Sequence, residues 1–237
     1  MKSSDLIKHL TESGLMPKEE MLEIAKGEQS LFIGIPKETA LQENRVALVP
    51  DSVGLLVNNG HRVLIESNSG EAANFTDKDY SEAGAEIAYE SKEVYKANII
   101  IKVAPPTLAE IELLNAVQKQ ILFSALQISS QPKDCIKELM KKKVTGIAYD
   151  FIKDREGVYP IVRSMSEIAG NTSILIAAEL LSNANGGHGV MMGGIPGVKP
   201  TEVVILGSGG VGEFAARAAL GLGANIKLFD DESHKLR

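Results

Sequence analysis

The sequence has 237 residues, a formal net charge of −6, 44% hydrophobic residues and 24% charged residues. That is an ordinary composition for a folded chain of one large or two smaller domains. The acidic balance excludes a general nucleic-acid binder, which needs clustered Lys and Arg against phosphates. The nearest thing to a basic run, Lys141-Lys142-Lys143, reads as a helix end where cations suit the dipole.

Residues 1–30 are polar with apolar positions spaced at Leu6, Leu10, Leu15, Met21 and Ile24, which predicts a helical N-terminal extension. From residue 31 short apolar runs alternate with helical patterns. The runs are Leu31–Ile35, Val63–Glu66, Ile99–Val103, Ile121–Ala125 and Val144–Ala148; the helical stretches are Val53–Asn59, Asp79–Ala83, Leu108–Val117 and Lys133–Lys142. Strands that are apolar throughout and alternate with helices imply a parallel sheet covered on both faces, so the fold class is α/β, with a first domain over 31–165. Cys135 has no partner for an intrachain disulfide; it reads as an inert helix residue in a reducing, cytoplasmic compartment. No apolar run approaches the ~20 residues of a membrane span. No spacing of His or carboxylates suggests a metal site.

A linking helix over Ser166–Asn185 and a Gly-rich loop make up residues 166–200. The helix is apolar on most faces, which predicts burial, with Ser164 or Ser166 as N-cap. Gly186–Gly197 holds too many glycines for a helix or central strand. A second α/β unit occupies 201–237: the strand Glu202–Leu206, the helix Glu213–Leu222 and the strand Asn225–Phe229. One β-α-β unit buries too little sheet, so the protein is expected to continue beyond residue 237.

Gly207-Ser208-Gly209-Gly210-Val211-Gly212 has the form G-x-G-x-x-G, sits between a strand and a helix, and is followed by Asp230 at the end of the next strand. In that context the glycines permit a tight turn, close approach of a pyrophosphate, and helix–strand packing; helix N-terminal amides then face the phosphates. Asp230 accepts ribose hydroxyls and repels a 2′-phosphate, so the expected cofactor is NAD rather than NADP.

Two further stretches carry a family resemblance. Gly34-Ile35-Pro36-Lys37-Glu38, followed by Glu43-Asn44-Arg45-Val46-Ala47-Leu48-Val49-Pro50, is similar to the N-terminal signature of the alanine dehydrogenase/pyridine nucleotide transhydrogenase family. Ser164–Gly170, the loop Gly186–Val198 and the Gly207–Asp230 fingerprint resemble alanine dehydrogenases in order and spacing. The resemblance covers the chain from about residue 31 onward. It implies a substrate domain over 31–165 and the start of a Rossmann NAD-binding domain over 201–237. It also implies a small-molecule substrate and a homo-oligomer in the cytoplasm.

Carried over position by position, Arg45 matches the arginine that grips the substrate carboxylate and Met165 a residue of the substrate pocket. Two positions depart from the pattern. The family's second lysine in Lys-Val-Lys-Glu-Pro is Ala104 here, and its catalytic histidine falls on Gln127, which has no titratable proton. No catalytic residue is therefore assigned. Three readings stay open. The first is NAD-dependent oxidation of L-alanine to pyruvate and ammonia. The second is hydride transfer from NADH to NADP as in a transhydrogenase α subunit, with a membrane subunit as partner. The third is non-catalytic NAD binding.

Overall fold

The computed structural model describes residues 30–115 and 119–232. The N-terminal extension expected over residues 1–30 lies outside the described residues, apart from its last position. The described chain divides into two compact units. One runs to Phe123 and includes Gln131–Gly146; the other comprises Ser124–Ser130 and Ile147–Arg237.

The first unit is built on a six-stranded sheet with strands β1 (Phe32–Ile35), β2 (Arg62–Glu66), β3 (Glu86–Ala88), β4 (Ile99–Ile101), β5 (Ile121–Ser124) and β6 (Thr145–Ala148). Its helices are α1 (Pro50–Asn58), α2 (Asp77–Glu82), α3 (Ser91–Val94), α4 (Leu108–Leu113) and α5 (Lys133–Lys142). The strand order is β3-β2-β1-β4-β5-β6, and the pairs β1–β2, β2–β3, β1–β4 and β4–β5 are parallel. The chain steps outward from β1 to β3 and then returns to lay β4 against the other side of β1. A topological switch point therefore lies between β1 and β4, and loops leaving their carboxyl ends open a crevice.

Apolar side chains of the central strands make the core: Ile33, Ile35, Val63 and Ile65 pack with Val53 of α1, Tyr80 of α2 and Ala85. The Tyr80 hydroxyl donates to the Leu48 carbonyl (2.9 Å), tying the loop before α1 to this core. The helix starts are encoded locally. Pro50 occupies the first turn of α1, while Thr76 with Asp79 and Thr107 with Glu110 form capping boxes on α2 and α4. Cys135 is buried on α5. The basic run does more than end α5: Lys142 Nζ donates to the carbonyls of Glu112 (2.7 Å) and Leu114 (3.0 Å), capping the end of α4.

The second unit contains the helix α6 (Pro160–Leu181), the strands β7 (Glu202–Leu206) and β8 (Asn225–Phe229), and between them the helix α7 (Gly210–Gly221). β7 and β8 pair in parallel from Glu202↔Asn225 to Leu206↔Phe229. Two expectations for α6 are corrected. It starts at Pro160, with Tyr159 as N-cap, because proline at the first helical position supplies the start. Ser164 and Ser166 sit inside it and bond back to the carbonyls of Pro160 and Val162. Nor is α6 buried all round. Only the stripe through Gly170, Ile174, Ala177, Ala178 and Leu181 packs inward, whereas Ile168 (60% exposed) and Leu180 (63%) face outward.

Candidate functional site

The turn from β7 into α7 is the chemically distinctive part of the second unit. Gly207 has φ +98°, a left-handed conformation that a side chain would strain, and its N–H donates to the Phe229 carbonyl (2.7 Å). A Cβ on Gly212 would lie 1.9 Å from the Gly207 carbonyl oxygen, so the helix passes this close to the turn only without a side chain. A Cβ on Gly209 would meet nothing within 4 Å, so the backbone there is open to an approaching group. Gly209 is the N-cap and has no side chain to satisfy the first-turn amides of α7, whose dipole favours an anion. Gly210 lies against Ser166 of α6, and Gly170 of α6 fits against the Val211 carbonyl, so α6 backs the turn. Val211 is exposed.

Asp230, one residue past β8, faces the turn. Its Oδ2 accepts from Ser208 N–H (2.6 Å) and Ser208 Oγ (2.7 Å), and its Oδ1 accepts from Glu232 N–H (2.8 Å). The Ser208 N–H first, and then that of Glu232, holds the carboxyl well below the usual carboxylate range, so it is charged at working pH. Leu206, Gly207, Phe229, Asp230 and Asp231 share an open cleft there. These residues fit an adenine dinucleotide: first-turn amides without a side-chain cap and an open glycine for a pyrophosphate, and an ionised acid for a ribose diol.

The Gly-rich loop forms a different cleft of the same unit, of about 550 Å³, lined by Gly189, Val190, Met191, Met192, Gly193 and Gly194 with Ala178, Ser182, Asn183 and Leu222. It includes no residue of the glycine turn and no charged side chain.

Arg45 belongs to the first unit. Its Nε and Nη2 donate to Glu43 Oε1 (2.7 Å) and Oε2 (2.6 Å), a bidentate fork that also lowers the Glu43 pKa. The pair lines a cleft of about 100 Å³ with Lys37, Glu38, Asn44, Asn68, Ser69, Glu71 and Ala72. Met165 belongs to the second unit, on α6, and is 39% exposed. Gln127 adopts φ +43°, and its N–H donates to Asp150 Oδ2 at 3.3 Å; the other oxygen of Asp150 is buried with no hydrogen-bond partner among the described residues.

A buried ion cluster in the first unit was not foreseen from sequence. Lys102, one residue past β4, is 1% exposed and donates to Glu38 Oε2 (3.0 Å) and Glu110 Oε1 (2.9 Å). Glu38 also accepts from the N–H groups of Val103 (2.6 Å) and Ala104 (3.3 Å). It thereby pins the loop after β1 to the loop after β4 at the switch point. Burial pushes the Glu110 carboxyl up, but the Lys102 charge and the Thr107 hydrogen bonds outweigh it and leave its pKa below the usual value. The Thr107-x-x-Glu110 capping box was the one local signal. Position 104 is thus fixed by its backbone even though its side chain is a single methyl.

Residues 34–169 match the family model described as alanine dehydrogenase/PNT, N-terminal domain, and residues 173–237 match the corresponding C-terminal domain. The chain is 44% identical over 207 residues to an alanine dehydrogenase of Methanococcus maripaludis, covering 87% of this chain and 55% of that protein. It is 41% identical over 204 residues to an alanine dehydrogenase of Staphylococcus epidermidis, covering 86% and 54%. It therefore spans about half the length of the curated relatives it matches. An L-alanine dehydrogenase structure superposes with a TM-score of 0.79 at 41% identity, covering 86% of this chain and 56% of that one. A transhydrogenase from Sinorhizobium meliloti superposes at 0.70 with 23% identity, covering 86% and 57%, a likeness of fold.

Proposed function

The chain belongs to the alanine dehydrogenase/PNT family, and from that premise we propose that it is part of an NAD-dependent alanine dehydrogenase. The glycine turn of Gly207–Gly212 facing Asp230 carries the reading. Gly207, Ser208, Gly209, Gly210, Val211 and Gly212 seat the pyrophosphate, and Asp230 takes the adenosine ribose. Held there, the dinucleotide would supply the hydride acceptor for oxidation of L-alanine, with water, to pyruvate and ammonia.

Arg45 binds the substrate carboxylate and Met165 lines the substrate pocket. A guanidinium already forked onto Glu43 meets the substrate by sharing or exchanging that partner. We extend the reading to a cytoplasmic homo-oligomer, supported by the lone, buried Cys135 and by the family resemblance. Among the described residues no helix is long and apolar enough to cross a membrane. The domain division follows the same reading: a substrate domain over 31–165, a linking segment over 166–200 and an NAD domain from 201.

One observation favours a second reading. Ala104 and Gln127 supply neither a cation nor a titratable proton where the resemblance puts the family's lysine and histidine, and both departures resemble the transhydrogenase α subunit. Assay of the full chain with L-alanine and NAD at alkaline pH separates the two. Alanine-dependent NADH formation supports the dehydrogenase and directs the search for the acid–base group away from Gln127. Hydride exchange between NADH and an NADP analogue in the presence of a membrane subunit, without alanine turnover, would support the second. An Arg45→Lys substitution is expected to raise the KM for alanine about tenfold or more, since lysine cannot reproduce the bidentate fork.

A further inference from the structure

The dinucleotide reading leaves the side chain at the first variable position of the glycine turn without a role. That side chain is Ser208, and both of its polar hydrogens go to one atom, Asp230 Oδ2, at 2.6 Å from N and 2.7 Å from Oγ. A carboxylate oxygen offers about two lone-pair sites. Those of Oδ2 are filled, and Oδ1 already accepts from Glu232 N–H at 2.8 Å. The Asp231 side chain also lies within hydrogen-bond reach of the Asp230 carboxyl, so among the described residues Asp230 has room for at most one more donor. A ribose diol brings two.

The missing acceptor is next to it. A serine hydroxyl has one hydrogen and two lone pairs. Having spent its hydrogen on Asp230, Ser208 Oγ presents lone pairs only. We propose that Ser208 is a second determinant of cofactor choice: Ser208 Oγ and Asp230 Oδ1 together accept the two hydroxyls of the adenosine ribose and together refuse a 2′-phosphate. This deepens the dinucleotide reading and rests on it. A 2′-phosphate carries acceptors and negative charge, so it finds no donor on this pair. The carboxylate keeps the hydroxyl in its accepting orientation, and Asp231 adds charge of the same sign beside it. Ser208 acts partly as a positioning residue, because its N–H and Oγ–H fix the plane of the carboxylate.

The direction of the serine proton gives a test that a merely structural role does not pass. With Asp230 present, Ser208 is an acceptor. With Asp230 removed, its hydrogen is released and it becomes a donor toward a phosphate. NADH and NADPH are titrated by calorimetry into the full chain carrying no substitution, S208A, S208T, D230A or S208A with D230A. In S208A the NADH dissociation constant is expected to rise about threefold to tenfold, the scale of one hydrogen bond partly replaced by the freed Oδ2, and the NADH preference to shrink. S208T is expected to restore both. In the D230A background, removing the hydroxyl is expected to weaken NADPH instead. A preference unchanged within twofold in S208A, or the same direction of effect on NADPH in both backgrounds, overturns the role of Ser208. Failure of the unsubstituted protein to bind NADH overturns the dinucleotide reading itself.

Discussion

Glu38 in the first unit and Asp230 in the second each hold a neighbouring loop through its backbone, in opposite surroundings. The Glu38 side chain is 5% exposed and accepts from Lys102 Nζ, Val103 N–H and Ala104 N–H, with a cation at 3.0 Å. Asp230 is half-buried and accepts from Ser208 and Glu232, with no cation among its hydrogen-bond partners within the described residues. The first carboxylate is neutralised where water is excluded, because an unpaired buried charge is costly. The second keeps its charge facing a cleft. The two clusters use the same bonds for different ends: one closes a switch-point loop, the other leaves acceptors for a ligand.

The largest effect is expected at Lys102. Lys102→Met leaves Glu38 and Glu110 buried without their cation, and a loss of about 3–5 kcal/mol of unfolding free energy is expected by urea titration. A loss below about 1 kcal/mol would mean that the cluster is not held as described. On the other side, Gly212→Ala drives a Cβ to 1.9 Å from the Gly207 carbonyl and forces the turn open. NADH affinity is expected to fall about tenfold to a hundredfold. Gly221→Ala, whose Cβ meets nothing, serves as the control and should bind NADH unchanged.

The smallest effect concerns pH. Glu110 has a folded pKa below its ordinary 4.5, so its contribution to stability is present above that value and is lost as pH falls through the lower folded value. Glu110→Gln should therefore flatten the acid limb of the stability curve below about pH 4.5 while leaving NADH binding alone. An acid limb of the same slope in the variant would take Glu110 out of the linkage.

The elements with strong local signals were legible in the sequence. The strands β7 and β8 and the helix α5 have the bounds that their patterns predict. The strand β3 and the helix α3, three and four residues long, are too short to show a period and were missed. The start of α6 was misplaced because Ser164 and Ser166 suit an N-cap, yet Pro160 begins the helix and both hydroxyls turn back onto it. Its partial exposure was hidden for another reason. Apolar residues on most faces predict burial, but α7 covers only one stripe.

In the candidate site the glycine turn and Asp230 could be read from spacing, since the hydrogen bonds between them lie within one β-α-β unit and the residues just after it. The Lys102 cluster could not, because Glu38 is 64 residues from Lys102 and only the fold joins them. Nor does spacing reveal that Ser208 gives its hydroxyl proton to Asp230.

The most direct test of the central claim is the binding preference of the unsubstituted chain, measured by titrating NADH and NADPH separately under identical conditions. The account predicts that NADH binds and that NADPH binds at least about tenfold more weakly, because an ionised Asp230 opposes a 2′-phosphate. Equal binding of the two, or tighter binding of NADPH, would contradict it.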